Sequence, residues 1–203
     1  MNEIARRGLL RGLLLCAILL LAGFGAWTYW RPASTPNPAD ANMIAIGGPF
    51  TLTDVNGRPF GSEQLRGKPF AIFFGFTRCP DVCPTTLSRM VRLRSELGKE
   101  AESLNLVFVS VDPRSDKPQD IAQYLSLFDS PIIGLTGTQH QLAEVKRNFG
   151  VFSEEVPLGN SGYTIDHTAT VFVVDADGRF VGTLDAHEDA EAALAKLRRS
   201  LTA

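Results

Sequence analysis

The stretch PFAIFFGFTRCPDVCPTTLSRMVRLRSEL, residues 69–97, holds three patterns in succession. Pro69 to Phe76 is a continuous apolar run, the pattern of a strand buried on both faces. Cys79 and Cys83 come next, each with a proline directly after it. Beyond them Leu87, Met90, Val91, Leu93 and Leu97 recur at roughly helical spacing. Strand, cysteine loop and helix therefore succeed one another without a break.

Working outward, Phe50 to Leu52, the turn candidate Asn56-Gly57 and Pro59-Phe60 predict a small hairpin at the start of the domain. Leu104 to Val111 is a second buried-type strand, closed by Asp112-Pro113. Lys117 to Phe128 is an amphipathic helix, Ile132 to Leu135 a short strand, and Thr138 to Phe149 a helix with Gly150 as its C-cap. Thr168 to Val174 is a strand, Asp175 to Gly178 a turn, and Phe180 to Leu184 the returning strand. His187 to Leu201 closes the chain as a helix. This order predicts an α/β fold, a thioredoxin-like sandwich with a mixed central sheet and helices on both faces.

The N-terminus has a different composition. Gly12 to Trp30 carries no charge, and as a helix it is long enough to cross roughly 30 Å of hydrocarbon. Arg6, Arg7 and Arg11 precede it, which keeps that flank cytoplasmic and places the rest of the chain on the far side of the membrane. Residues 1–11 are thus expected to be a basic cytoplasmic end and 12–30 a transmembrane anchor. The Pro-rich residues 31–42 are a tether, and 43–203 the folded domain. A cleaved secretory signal is the alternative, although no clean A-x-A-like site is present. Cys16 lies inside the apolar stretch and reads as a buried thiol.

The chain of 203 residues has a net charge of −2 and 21% charged residues, which gives no footprint for nucleic acid. The short N-terminus with Glu3 and little Ser is unlike a transit peptide, so the expected location is a bacterial inner membrane, with the domain facing the periplasm.

Cys79 and Cys83 admit three chemistries. Asp81 or Cys83 is the expected N-cap of the adjoining helix, since Pro84 is tolerated only in the first turn. The positive helix end should then favour thiolate at Cys83. Helical alpha carbons four apart are about 6 Å from each other, a separation a disulfide also accepts. A bridge across so short a loop would stabilise the domain little. A redox pair is open, though thioredoxin-type catalysts use C-x-x-C. Two thiolates can also hold a soft ion, with further ligands drawn from histidine.

Of the three histidines, His140 has polar helix neighbours and His187 precedes Glu188-Asp189, so both read as solvated. His167 stands directly before a strong strand. Strand ends are where loops of an α/β sheet face one another. Opposite a C-x-x-x-C at another strand end, His167 is a candidate ligand.

Gly75-Phe76-Thr77-Arg78-Cys79-Pro80-Asp81-Val82-Cys83-Pro84, with Asp166-His167 much later, resembles the Sco/SenC family, membrane-anchored thioredoxin-like copper proteins that serve assembly of cytochrome c oxidase. The resemblance spans the exported domain, including Val111-Asp112-Pro113. It implies a metallochaperone whose copper is held by Cys79, Cys83 and His167 and delivered to the oxidase subunit with the binuclear copper centre. Arg78 stands where many relatives are expected to have histidine. Asp112 and Asp166 are candidates for supporting the site or touching a partner, with a strand-end turn and a cap as the plain alternatives.

Two thiolates and one imidazole suit three-coordinate Cu(I), and Cu(II) would want a further ligand. Zinc in an open site has the same donors. Reduced cysteines are required, so an extracytoplasmic thiol reductant is an expected partner. Thiol-disulfide oxidoreductase activity through Cys79 and Cys83 is the alternative function, and peroxide reduction a third.

Overall fold

A computed structural model of the chain describes residues 46–159 and 162–202. The expected N-terminus 1–11, anchor 12–30 and tether 31–42 lie outside the described residues, as does Cys16. Among the described residues no helix is long and apolar enough to cross a membrane.

Strand β1 (Thr51–Asp54) pairs antiparallel with β2 (Pro59–Gly61). The turn between them sits where Asn56-Gly57 predicts it. Gly57 has φ 77°, a conformation side chains resist, and the Asp54 carboxylate accepts the amides of Asn56 and Arg58 at 2.9 and 2.8 Å. Next come β3 (Phe70–Gly75), α1 (Val82–Glu96) and β4 (Asn105–Ser110). After these are α2 (Pro118–Leu125), β5 (Ile133–Thr136) and α3 (Gln139–Phe149). The chain continues through β6 (Ser153–Pro157), β7 (Tyr163–His167), β8 (Val171–Val174), β9 (Phe180–Leu184) and α4 (Ala190–Thr202).

Seven strands form one sheet in the order β2-β1-β5-β4-β3-β8-β9. β3, β4 and β5 are parallel, whereas β1 joins β5, and β8 joins β3, in antiparallel fashion. This is the expected mixed α/β sheet. Every residue of β3 is buried, as is β4 from Leu106 onward, so both faces of these strands are covered. Phe74 on β3, Phe149 on α3 and Phe172 on β8 form an aromatic triangle, with ring centroids 5.4, 6.2 and 5.6 Å apart. Truncating one such side chain to alanine costs about 3–5 kcal/mol.

Boundaries differ from the sequence expectation for local reasons. Helix α2 stops at Leu125, although Phe128 still packs edge-on against Tyr124 at 5.5 Å. Asp189 accepts the amides of Glu191 and Ala192 at 2.9 and 3.3 Å, so α4 begins at Ala190 rather than His187. Gly150 ends α3 at φ 66° as the expected C-cap.

The larger difference is the hairpin β6–β7, which the sequence reading leaves without an element. Its two strands form a sheet of their own, with Ser153 opposite His167 and Pro157 opposite Tyr163. The last four residues of β6 are exposed, so the strand lacks the apolar pattern that reveals strands in sequence.

Candidate metal centre

The cysteine loop leaves the C-terminal end of β3, the position at which parallel sheets present their sites. Gly75 ends that strand because nothing larger fits. A β-carbon there would lie 2.8 Å from Cys83 Sγ, 3.0 Å from Phe73 and 3.1 Å from Phe108. The Cys83 sulfur is thereby packed onto the strand backbone.

Asp116 holds the loop's entry. Its carboxylate accepts the amide and hydroxyl of Thr77 at 2.9 and 2.7 Å and the hydroxyl of Ser110 at 2.6 Å. The N-cap of α1 is Asp81, one of the two expected positions. Cys83 and Pro84 therefore lie in the first helical turn, and the Cys83 amide donates to Cys79 Sγ at 3.4 Å.

Both cysteines are free thiols, Cys79 half-buried and Cys83 fully buried. Here the expectation for Cys83 is reversed. Burial pushes its thiol up and outweighs the hydrogen bond with the Phe76 backbone that pulls it down, while Cys79 pushes it further up. Desolvation overrides the helix end at this sulfur.

His167 reaches the cysteines from the end of β7. Phe73 and Phe76 meet its ring edge-on, at centroid distances of 6.0 and 5.7 Å. Nδ1 lies 3.1 Å from the carbonyl oxygen of Thr168, and a carbonyl only accepts, so Nδ1 carries the proton. The lone pair is then on Nε2, which lies 3.5 Å from Cys83 Sγ. A second group fixing the tautomer in this way is a recurrent feature of metal-binding histidines. Burial lowers the His167 pKa despite the opposing Thr168 carbonyl, Asp166 charge and Phe74 backbone, which favours the neutral imidazole near pH 7.

The two sulfurs and the histidine nitrogen all lie within 4.8 Å of one another. Trigonal coordination with metal–ligand bonds of about 2.0–2.3 Å requires donors separated by about 3.5–4 Å. The Cys83–His167 pair already meets that requirement, and small shifts of Cys79 complete it. Among the described residues, this is the one cluster of three or more such side chains with metal-binding spacing.

The remaining candidates separate cleanly. His140 and His187 are exposed. Asp166 is exposed on the outer face of β7, whereas Asp112 is buried beside the cysteine loop, where it accepts Arg78 Nη2 at 2.7 Å. The sequence reading missed Asp116 and Tyr163. The Tyr163 hydroxyl donates to Asp112 at 2.8 Å. Its signal was its place four residues before His167, on the same face of the strand.

A mixed sheet with two sulfurs beyond the end of one strand, met by an imidazole from a separate hairpin, defines a thioredoxin-like domain with a metal-competent thiol site. The SCO1/SenC family model matches residues 38–202, and the chain belongs to that family. Protein SCO2, mitochondrial, of Saccharomyces cerevisiae is 38% identical over 198 residues, covering 92% of this chain and 65% of the yeast protein. An SCO2-like protein of Rickettsia prowazekii is 38% identical over 171 residues, 80% of this chain and 83% of that one. Among solved structures, Bradyrhizobium japonicum ScoI with copper bound superposes with a TM-score of 0.70 at 44% identity, covering 77% of this chain and 99% of that one.

Proposed function

We propose that this chain is a membrane-anchored copper metallochaperone. Cys79, Cys83 and His167 hold one copper ion as cargo. They pass it by ligand exchange to the subunit of cytochrome c oxidase that houses the binuclear copper centre. The observation that carries this reading is the convergence of three donors from two separate segments within 4.8 Å, with the histidine lone pair turned toward the sulfurs. Membership of the SCO1/SenC family and the copper-bound ScoI relative support copper over zinc.

Two sulfurs and one nitrogen match the low coordination number of Cu(I), and Cu(II) takes a further ligand from water or the protein. In this reading residues 12–30 anchor the domain on the periplasmic side of a bacterial inner membrane, and residues 31–42 let it reach its partner. Loading requires both thiols, so a periplasmic reductant serves the cycle.

Titration of the reduced protein with Cu(I) tests the reading. One ion per chain is expected, with weaker binding in His167→Ala. Undiminished copper retention after replacing Cys79, Cys83 and His167 together with alanine overturns it.

The unequal burial of the two cysteines favours a second activity, thiol-disulfide exchange on the copper-site cysteines of the same subunit. Cys79 would attack and Cys83 resolve the mixed disulfide. The two activities separate at His167, which exchange does not need. If His167→Ala keeps full oxidase assembly, exchange is the principal activity.

A further inference from the structure

The copper donors sit on two pieces of chain that no sheet ladder joins: the loop after β3, and the hairpin β6–β7. Asp112 lies between them with its side chain 1% exposed. One carboxylate oxygen accepts the Arg78 guanidinium at 2.7 Å and the other accepts the Tyr163 hydroxyl at 2.8 Å. The Ser115 amide donates to it as well, at 3.2 Å. Arg78 immediately precedes Cys79, and Tyr163 shares an inward face with His167. A single buried carboxylate thus touches both pieces of chain that carry the donors.

The ring of Tyr163 adds to this tie. The Arg78 guanidinium lies 4.8 Å from its centroid and that of Arg114 4.6 Å. Arg114 is in turn paired with Glu155 of β6 at 2.5 Å. Although 48% of the Arg78 side chain is exposed, its charged end has a buried partner and an aromatic ring, unlike an ordinary surface ion pair.

We propose that Arg78 is a positioning residue. Through Asp112 and Tyr163 it fastens the Cys79 loop to the strand carrying His167, and so sets the sulfur-to-nitrogen spacing before copper arrives. The inference rests on the proposed copper site. The plain alternative is an ion pair that stabilises the domain and has no influence on His167.

The test uses the reduced full-length protein and the variants Arg78→Met, Arg78→Lys and Tyr163→Phe. Without copper, Arg78→Met is expected to speed hydrogen exchange of the amides at 163–167 on the order of ten-fold, leaving β3 and β4 unchanged. Copper affinity should fall about 10-fold, as for other residues that orient metal ligands. In the Arg78→Met background, adding His167→Ala should weaken copper binding by a smaller factor than it does in the wild type, since the histidine is already misplaced. Arg78→Lys should recover part of each effect, and Tyr163→Phe should add little to Arg78→Met. Unchanged exchange at 163–167 overturns the proposal, as does an equal His167→Ala factor in both backgrounds. If the wild type binds no copper, the copper reading fails, and the metal-free exchange measurement still decides whether Arg78 holds the hairpin.

Discussion

The backbone amide of Cys83 donates to the sulfur of Cys79 at 3.4 Å, while the side chain of Cys83 is fully buried with its sulfur close over Gly75. The two thiols, four residues apart, therefore differ in solvation and in reactivity. We predict that Cys79 of the reduced, metal-free protein is alkylated at least about ten-fold faster than Cys83 near neutral pH, because attack requires an accessible thiolate. Mass mapping of a short iodoacetamide pulse measures this. Equal labelling, or Cys83 first, would show that the loop does not hold this arrangement in solution.

Gly75→Ala should be destabilising despite the small change. The added methyl would meet Cys83 Sγ and two buried rings at 2.8–3.1 Å, and overpacking of this kind costs about 1–3 kcal/mol. Copper binding should weaken too, because the displaced atom is a proposed ligand. A urea midpoint and copper affinity both equal to wild type would contradict the packing described.

Asp116→Ala should cost about 2–4 kcal/mol, because it strips partners from the Thr77 amide, the Thr77 hydroxyl and the buried Ser110 hydroxyl. Chemical denaturation reads the loss directly. A change below about 0.5 kcal/mol, the range of ordinary surface substitutions, would remove Asp116 from the support of the loop.

His167 makes the metal-free protein sensitive to acid. Burial holds its folded-state pKa below the ordinary 6.5, so on acidification the unfolded chain takes up this proton first. Its contribution to stability is present above 6.5 and is lost as pH falls from there toward the folded value. Urea midpoints at about pH 7.5 and about pH 5.5 should differ more for the wild type than for His167→Gln. The same difference in both proteins would mean that the ring is not desolvated.

Much of the scaffold was legible because its signals are local. The run Pro69 to Phe76 reads as a doubly buried strand, and β3 is buried throughout. The leucines and Met90 beyond it mark the inner face of α1, apart from Val91, which is only partly buried. His167 stood out from His140 and His187 by its neighbours, and it alone meets the cysteines. The hairpin around it was not legible. Glu154, Glu155 and Pro157 are exposed, and a short strand without a buried face leaves no period to detect. The roles of Asp112 and Asp116 depend on partners 34 and 39 residues away, a separation that no local pattern records. The Cys83 thiol was misjudged for a related reason. A helix end can be read from Asp81 and Pro84, but the desolvation that overrides it comes from burial in the folded domain, which no local pattern records.

The separation of β6 and β7 from the seven-stranded sheet makes the three donors mechanically unequal. Moving Cys83 means prying the first turn of α1 off Gly75, at the centre of the domain. Moving His167 with its hairpin breaks side-chain contacts to Phe73, Phe76 and Asp112 but leaves the large sheet's ladder intact. In the proposed transfer, His167 would therefore be the donor that yields with least work, and Cys79 and Cys83 the two that would keep their hold longest.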